Sequence, residues 1–154
     1  MEEFIERWKF VRSETLELLQ SLDNEQLQFK PEGEKWQPLF YQFSCMARTQ
    51  LVYAHAARSG AMDFSLFASS ELPSKTDYQT VDTLLSFLAN SNQDWLSALR
   101  ANKDGVMWPD SKKSATIHIA SLSEHERLHH GQLISYFTIA GFELPSEFKR
   151  NWAL

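Results

Sequence analysis

His125 and His129 stand four residues apart in the run Ser123-Glu124-His125-Glu126-Arg127-Leu128-His129-His130-Gly131-Gln132. On an α-helix that step leaves two imidazoles about 40° apart in rotation and one turn apart in rise, close enough to hold one ion between them. His118 lies seven residues before His125, about 20° off, and so shares the stripe two turns away. Leu122, Leu133, Tyr136 and Ala140 continue that stripe, which marks a face turned toward a core. A buried imidazole needs a partner. A lone histidine there is ordinarily satisfied by a carbonyl or hydroxyl. A pair at ligand spacing favours a metal, because neutral imidazole binds zinc, nickel and iron and the helix itself sets the bite. His130 projects about 140° away from His125.

Read literally, His125-Glu126-Arg127-Leu128-His129 is HExxH, the signature in which a helical glutamate activates a zinc-bound water in zinc peptidases. Few positions are fixed, and Glu126 projects about 100° from His125. The downstream glycine and histidine of the extended signature are missing, and no strand pattern offers a sheet for a peptide. Glu126 is better read as a solvated or hydrogen-bonded helix glutamate.

Cys45 and Arg48, followed by Thr49 and Gln50, form a second constellation. A guanidinium near a thiol favours the thiolate, and Arg48 is equally suited to hold a carboxylate of a cofactor or substrate. The ordinary reading makes Cys45 a small core residue and Arg48 half of a salt bridge. Trp8 and Trp95 fall on core stripes, and Trp36 anchors a loop. Trp108 and Trp152 lie in irregular segments suited to covering a pocket mouth or a subunit contact.

Four amphipathic segments must position these groups. Phe4, Trp8, Val11, Thr15, Leu19 and Leu22 recur at steps of three and four over residues 2–22, and Asp23 can cap the turn that follows. After the loop around Pro31 and Gly33, Pro38 opens a second helix with a Phe40, Phe43, Ala47, Leu51, Ala54 stripe, ending at Ser59-Gly60. Residues 60–79 lack a period but carry Met62, Phe64, Leu66 and Phe67, which predicts a packed loop with one short helix. Thr80 caps a third helix to about Ala101, closed by Asn102-Lys103-Asp104-Gly105. The polar connection to Lys113 suits a turn or a short extended pair. A fourth helix runs from Ser114 to Ala140, stopped by Gly141, and a last turn spans Ser146 to Trp152. The pattern is that of an all-α four-helix bundle, whose ligand sites form between facing helices.

The chain has 154 residues, enough for one domain over residues 1–154 that folds without staples. Its single cysteine excludes an internal disulfide and suits a reducing compartment. The acidic start and the absence of a long apolar run give a cytoplasmic reading with no membrane partner. Net charge is −5 with signs interspersed, which argues against nucleic acid.

The run from His125 to Leu133, followed by Tyr136, Gly141 and Pro145, resembles the last helix of the DinB-like superfamily, where H-x-x-x-H-x-G-Q-[LI] precedes a glycine-ended helix and a proline. Lys35-Trp36 ahead of the second helix, the helix order and the length are similar to that family as well. The resemblance implies an up-down-down-up four-helix bundle with a divalent metal, zinc or nickel, on three histidines. Two of these match His125 and His129. The third, eight residues after the tryptophan, falls on Ser44, whose hydroxyl is a poor ligand for either metal. Cys45 is adjacent, and its thiolate suits both metals, but it lies about 100° round the helix from Ser44. His118 and His55 are further candidates. The site is then rebuilt with another ligand, weak, or metal-free.

Characterised members of the superfamily include thiol-S-transferases that use bacillithiol or glutathione-like cofactors and a mycothiol-dependent isomerase. By analogy the metal would bind a low-molecular-weight thiol as thiolate, lowering its pKa for attack on an electrophile. The resemblance thus implies a metal-dependent transferase or hydrolase acting on a small molecule, in a family whose members often form homodimers. The expected pocket is lined by His125, His129, residues 44–48 and His118, with Arg48 toward the cofactor. The alternative is a noncatalytic bundle with a degenerate metal site that binds a small molecule or a protein partner.

Overall fold

The computed structural model describes residues 1–102 and 104–154; residue 103, in the stretch expected to close the third helix, lies outside the described residues. Four long helices, α1 (Glu2–Gln20), α2 (Leu39–Ser59), α3 (Val81–Ala101) and α4 (Ala115–Ala140), are followed by the short α5 (Ser146–Trp152). Their ends follow local chemistry. Asp23 and Gln26 bond each other's backbone amides at 2.8 and 2.9 Å, which stabilises the 3-10 turn Gln26–Gln28 after α1. Thr80 and Thr83 do the same at the start of α3, and Ser114 Oγ accepts the Ile117 amide at 3.3 Å at the start of α4. Gly60 and Gly141 end α2 and α4 at φ of 78° and 70°, a conformation that costs other residues a steric penalty.

The segment after α2 contains the expected short helix, the 3-10 turn Phe64–Ala68. The polar connection before α4 forms an extended pair, β1 (Val106–Met107) antiparallel to β2 (Lys112–Lys113). The hairpin is tied to the end of α2 by Met62 N–H to the Met107 carbonyl and Met107 N–H to the Gly60 carbonyl, both 2.8 Å.

α2 packs on α3 and α4, and α1 packs on α4 and α3. Their apolar faces build two separate cores. One gathers Leu18, Leu19, Phe43, Met46, Leu84, Leu88, Leu133 and Phe137. The other gathers Trp8, Val52, Tyr53, Trp95, Leu99, Ile119 and Leu122. On every long helix polar residues lie between these two sets: Arg12 and Thr15, Thr49 and Gln50, Ser91 and Asn92, and His125, Glu126, His129 and His130. A polar belt therefore crosses the bundle between two hydrophobic cores, and the histidine run lies in it.

The apolar stripes behave as their spacing predicts, with Trp8, Trp95, Leu122, Leu133 and Tyr136 fully buried. Phe4, in the first turn of α1, is exposed, and Ala140, in the last turn of α4, is half-buried. No helix among the described residues is long and apolar enough to cross a membrane.

Candidate metal centre

Every buried imidazole on α4 faces the same question of what satisfies its two nitrogens. His118 lies at the core end, stacked on Tyr53 with ring centroids 4.6 Å apart. Its Nε2 lies 3.1 Å from the Tyr53 carbonyl, which can only accept, so Nε2 carries the proton. Nδ1 then accepts from the indole N–H of Trp108 at 3.4 Å. Both nitrogens of His118 are satisfied by its own core, and it does not join the His125/His129 pair.

His130 is satisfied too, on the face of α4 that meets α1. Arg127 donates to its Nδ1 at 3.4 Å, so Nε2–H donates to Thr15 Oγ1 at 2.7 Å, and the Thr15 hydroxyl donates to Glu126. The second Glu126 oxygen lies 3.0 Å from the Arg12 guanidinium, and Arg12 also donates to Gln50 Oε1 at 2.8 Å. Glu126 is wholly buried and faces α1, so the HExxH string does not present a glutamate to the histidine pair. Burial pushes the Glu126 carboxyl up, against the pull of Arg12 and Thr15, and burial pushes the Arg12 guanidinium down against the pull of Glu126.

The other two imidazoles are different. The Tyr136 hydroxyl donates to the Gln37 carbonyl at 2.7 Å, so its oxygen accepts the Gln42 amide N–H at 3.1 Å. Gln42 must then present its carbonyl oxygen to His129, where it accepts Nδ1–H at 2.8 Å. This chain fixes the tautomer and leaves Nε2 of His129 with its lone pair, the arrangement that supporting carbonyls impose on metal-binding histidines. His125 packs edge-on against His129, with centroids 4.6 Å apart. Its Nε2 lies 3.4 Å from Thr49 Oγ1, and its buried Nδ1 has no partner among the described residues. Burial holds both rings neutral, lowering His125 to about 4 and His129 to about 3. The Lys75 ammonium and then Arg12 lower His125 further, and His125 and then Lys75 lower His129 further, against the pull of a hydrogen bond with Gln132.

Cys45 completes the group. One donor atom from each of Cys45, His125 and His129 lies within 4.8 Å of the others, a set able to hold a metal ion. The residue types suit a borderline-soft divalent cation, and the unpartnered nitrogens give it lone pairs to bind. Ser44 is wholly buried, with its hydroxyl 3.5 Å from the Tyr78 carbonyl. The turn of about 100° between positions 44 and 45 thus brings the thiol to the histidines. Cys45 is half-exposed rather than the enclosed core residue of the ordinary reading. His55 is exposed farther along α2.

The chief cavity nearby, of about 780 Å³, is walled by Tyr41 and Arg48 of α2 and by residues 67–77. His125, His129 and His118 do not line it, in contrast to the expected pocket; His125 and His129 group with Cys45, beside Lys75. Lys75 is the link. Its ammonium donates to the Tyr41 hydroxyl at 3.2 Å and lies beside the Cys45 thiol. Burial works against the Lys75 charge, but Cys45 and Tyr41 outweigh it and raise the pKa. Arg48 meets no carboxylate. Its terminal nitrogens donate to the carbonyls of Leu72 (2.8 Å), Ser69 (2.6 Å), Leu66 (3.5 Å) and Pro73, clamping the 66–73 segment that forms the cavity wall.

Sequence periodicity could not show the Arg12–Glu126 pair, whose members are far apart in the chain, nor Lys75, which lies in an aperiodic loop. The one signal for the former was the four-residue step from Glu126 to His130, matched by Arg12 and Thr15 on α1.

A helical bundle with a Cys/His donor set at its centre defines a class, and the sequence places the chain within it. The sequence profile of the DinB superfamily matches residues 7–133, and the chain belongs to that superfamily. Its fold is similar to that of a DinB-like protein of Bacillus subtilis, with a TM-score of 0.69 and 17% identity over 93% of this chain and 96% of that one. A DinB-like protein of Bacillus cereus is similar to the same degree, with a TM-score of 0.70 and 16% identity over 95% and 96% of the two chains. No curated protein sequence matches it.

Proposed function

We propose that this DinB-superfamily protein is a metal-dependent enzyme of the thiol-S-transferase or hydrolase type, with zinc or nickel held by Cys45, His125 and His129. The observation that carries this is the tautomer at His129: a directed chain through Gln42, Tyr136 and Gln37 takes up one nitrogen and leaves the other its lone pair, on a residue grouped with a thiol and a second imidazole. Three protein ligands are the number that catalytic zinc sites use, leaving one position for a water or substrate. Bound there, the metal would supply Lewis acidity and lower the pKa of a bound thiol or water. The chain's own residues do the rest. Gln42 orients His129, Thr49 positions His125, and Lys75 places a cation beside the Cys45 sulfur. Arg48 acts on a ligand through the loop it clamps. An up-down-down-up helix order is supported by the sequence in which each helix meets the two cores. The cytoplasm is the compartment that best suits a free, half-exposed cysteine.

The competing reading is a noncatalytic bundle, and the position of Lys75 favours it. An ammonium beside Cys45 already places a positive charge next to the sulfur where a metal would sit, and Ser44 stands where the family pattern calls for a ligand. Elemental analysis of tag-free protein decides between the two. Near-stoichiometric zinc or nickel that vanishes in His125→Ala and His129→Ala supports the enzyme. Protein that stays metal-free after incubation with both ions leaves the noncatalytic bundle.

A further inference from the structure

The cavity beside the candidate centre has two cations on its wall and no carboxylate on either. Lys75 and Arg48 both line it, and neither forms an ion pair among the described residues. This is unusual in a chain of net charge −5. Arg48 is almost wholly buried, and carbonyl dipoles solvate its guanidinium without cancelling the charge. A buried cation without a counter-charge is costly and calls for an anion. The carboxylates that line the same cavity do not answer it. Asp77 accepts the Ser74 amide at 2.8 Å, and Glu71 is exposed.

Lys75 has the geometry of an anchor. An ammonium has three protons; one goes to the Tyr41 hydroxyl and a second faces the Cys45 sulfur, which leaves a third for a ligand. The Tyr41, Ser70, Ser74 and Thr76 hydroxyls line the same space, and a volume of about 780 Å³ suits a small molecule.

We propose that this cavity is an anion-binding site for a small carboxylate-bearing molecule, its carboxylate held by Lys75 in the positive field that Lys75 and Arg48 share. Because Lys75 also touches Cys45, a ligand anchored there has its near end one residue away from the Cys45/His125/His129 group. Placing it against a metal rests on the reading above; anion binding does not.

The test is an amide NMR titration of the full-length protein, as purified and after zinc addition, at constant ionic strength. Sodium succinate is the probe, succinamide its neutral counterpart, and inorganic phosphate a second anion. Succinate should give saturable shifts in residues 67–77, and succinamide none. Lys75→Met should raise the succinate Kd about tenfold or more, whereas Lys75→Arg should keep it within about threefold, since a buried charge contact is lost in one and retained in the other. The rest of the spectrum should be unchanged in both variants. Absent or non-saturable succinate shifts, binding of phosphate but not succinate, or an unchanged Kd in Lys75→Met would each overturn the proposal. Succinate binding in a protein that takes up no zinc removes the metal reading alone, and zinc uptake without succinate binding removes this one alone.

Discussion

The two faces of α4 each carry a pair of titratable residues at the same spacing, and the pairs have opposite states. Toward α1, Glu126 and His130 are four residues apart, and both nitrogens of the His130 ring are used: Arg127 donates to Nδ1, Nε2–H donates to Thr15, Thr15 donates to Glu126, and Glu126 pairs with the Arg12 guanidinium. Toward α2, His125 and His129 are four residues apart; His125 keeps a buried Nδ1 with no partner among the described residues, and the bond from His129 Nδ1–H to Gln42 leaves the lone pair on its Nε2. The first face is closed and acts as scaffold. The second is open and is where an ion can bind. Spacing on a helix therefore brings groups together, but the hydrogen bonds made by the opposing helix decide whether they remain available.

The comparison predicts which substitutions unfold the protein and which only empty its site. Glu126→Ala leaves the Arg12 guanidinium buried without its counter-charge, and a loss of about 3–5 kcal/mol is expected in urea unfolding. Zinc stoichiometry of the remaining folded protein should be unchanged. A loss of zinc with no change in stability would reverse the roles assigned to the two faces.

Gln42→Leu acts on the open face from one residue away. It frees the His129 ring to take the wrong tautomer, and metal affinity should fall about 10–100-fold, the usual cost of removing such a support. Competition with a chelator reads this directly. An unchanged affinity would mean that Gln42 does not orient the ligand.

Acid should probe the closed face. Burial, with Arg127, Arg12 and His129, depresses His130 to about 3. The unfolded chain takes up this proton near pH 6.5 while the folded protein refuses it, so the unfolded state binds more protons in between. Stability is full above about pH 6.5 and declines as pH falls toward 3, by up to about 1.4 kcal/mol per pH unit for this group. In a His130→Asn variant the slope of unfolding free energy against pH should be shallower by that amount. An unaltered slope would show that His130 is protonated in the fold.

The smallest effect is expected at Ser44. Its hydroxyl makes only a long contact to the Tyr78 carbonyl, so Ser44→Ala should cost within about 1 kcal/mol and leave zinc binding intact. Loss of zinc in that variant would transfer the third ligand from Cys45 to Ser44.

Much of this was legible from residues alone because it is local. Capping by Thr80 and Ser114, the stops at Gly60 and Gly141, and the His125/His129 step all depend on neighbours within a turn. Cys45 could be named only as a candidate, since its availability depends on how α2 is rotated against α4. Arg48 shows where reading by residue type ends. Its cost of burial was foreseeable, but its partners are backbone carbonyls of an aperiodic loop, and carbonyls leave no mark in a side-chain pattern. The same holds for Lys75, which comes to Cys45 on that loop.

Whether Cys45, His125 and His129 together hold a divalent ion can be read from cobalt(II) substitution. One equivalent of cobalt, tetrahedral visible bands and a sulfur-to-cobalt charge-transfer band are expected. Cys45→Ser should lose the charge-transfer band, and His129→Ala should lose cobalt binding. A cobalt spectrum without the sulfur band in the unaltered protein, or one unchanged by either substitution, would contradict it.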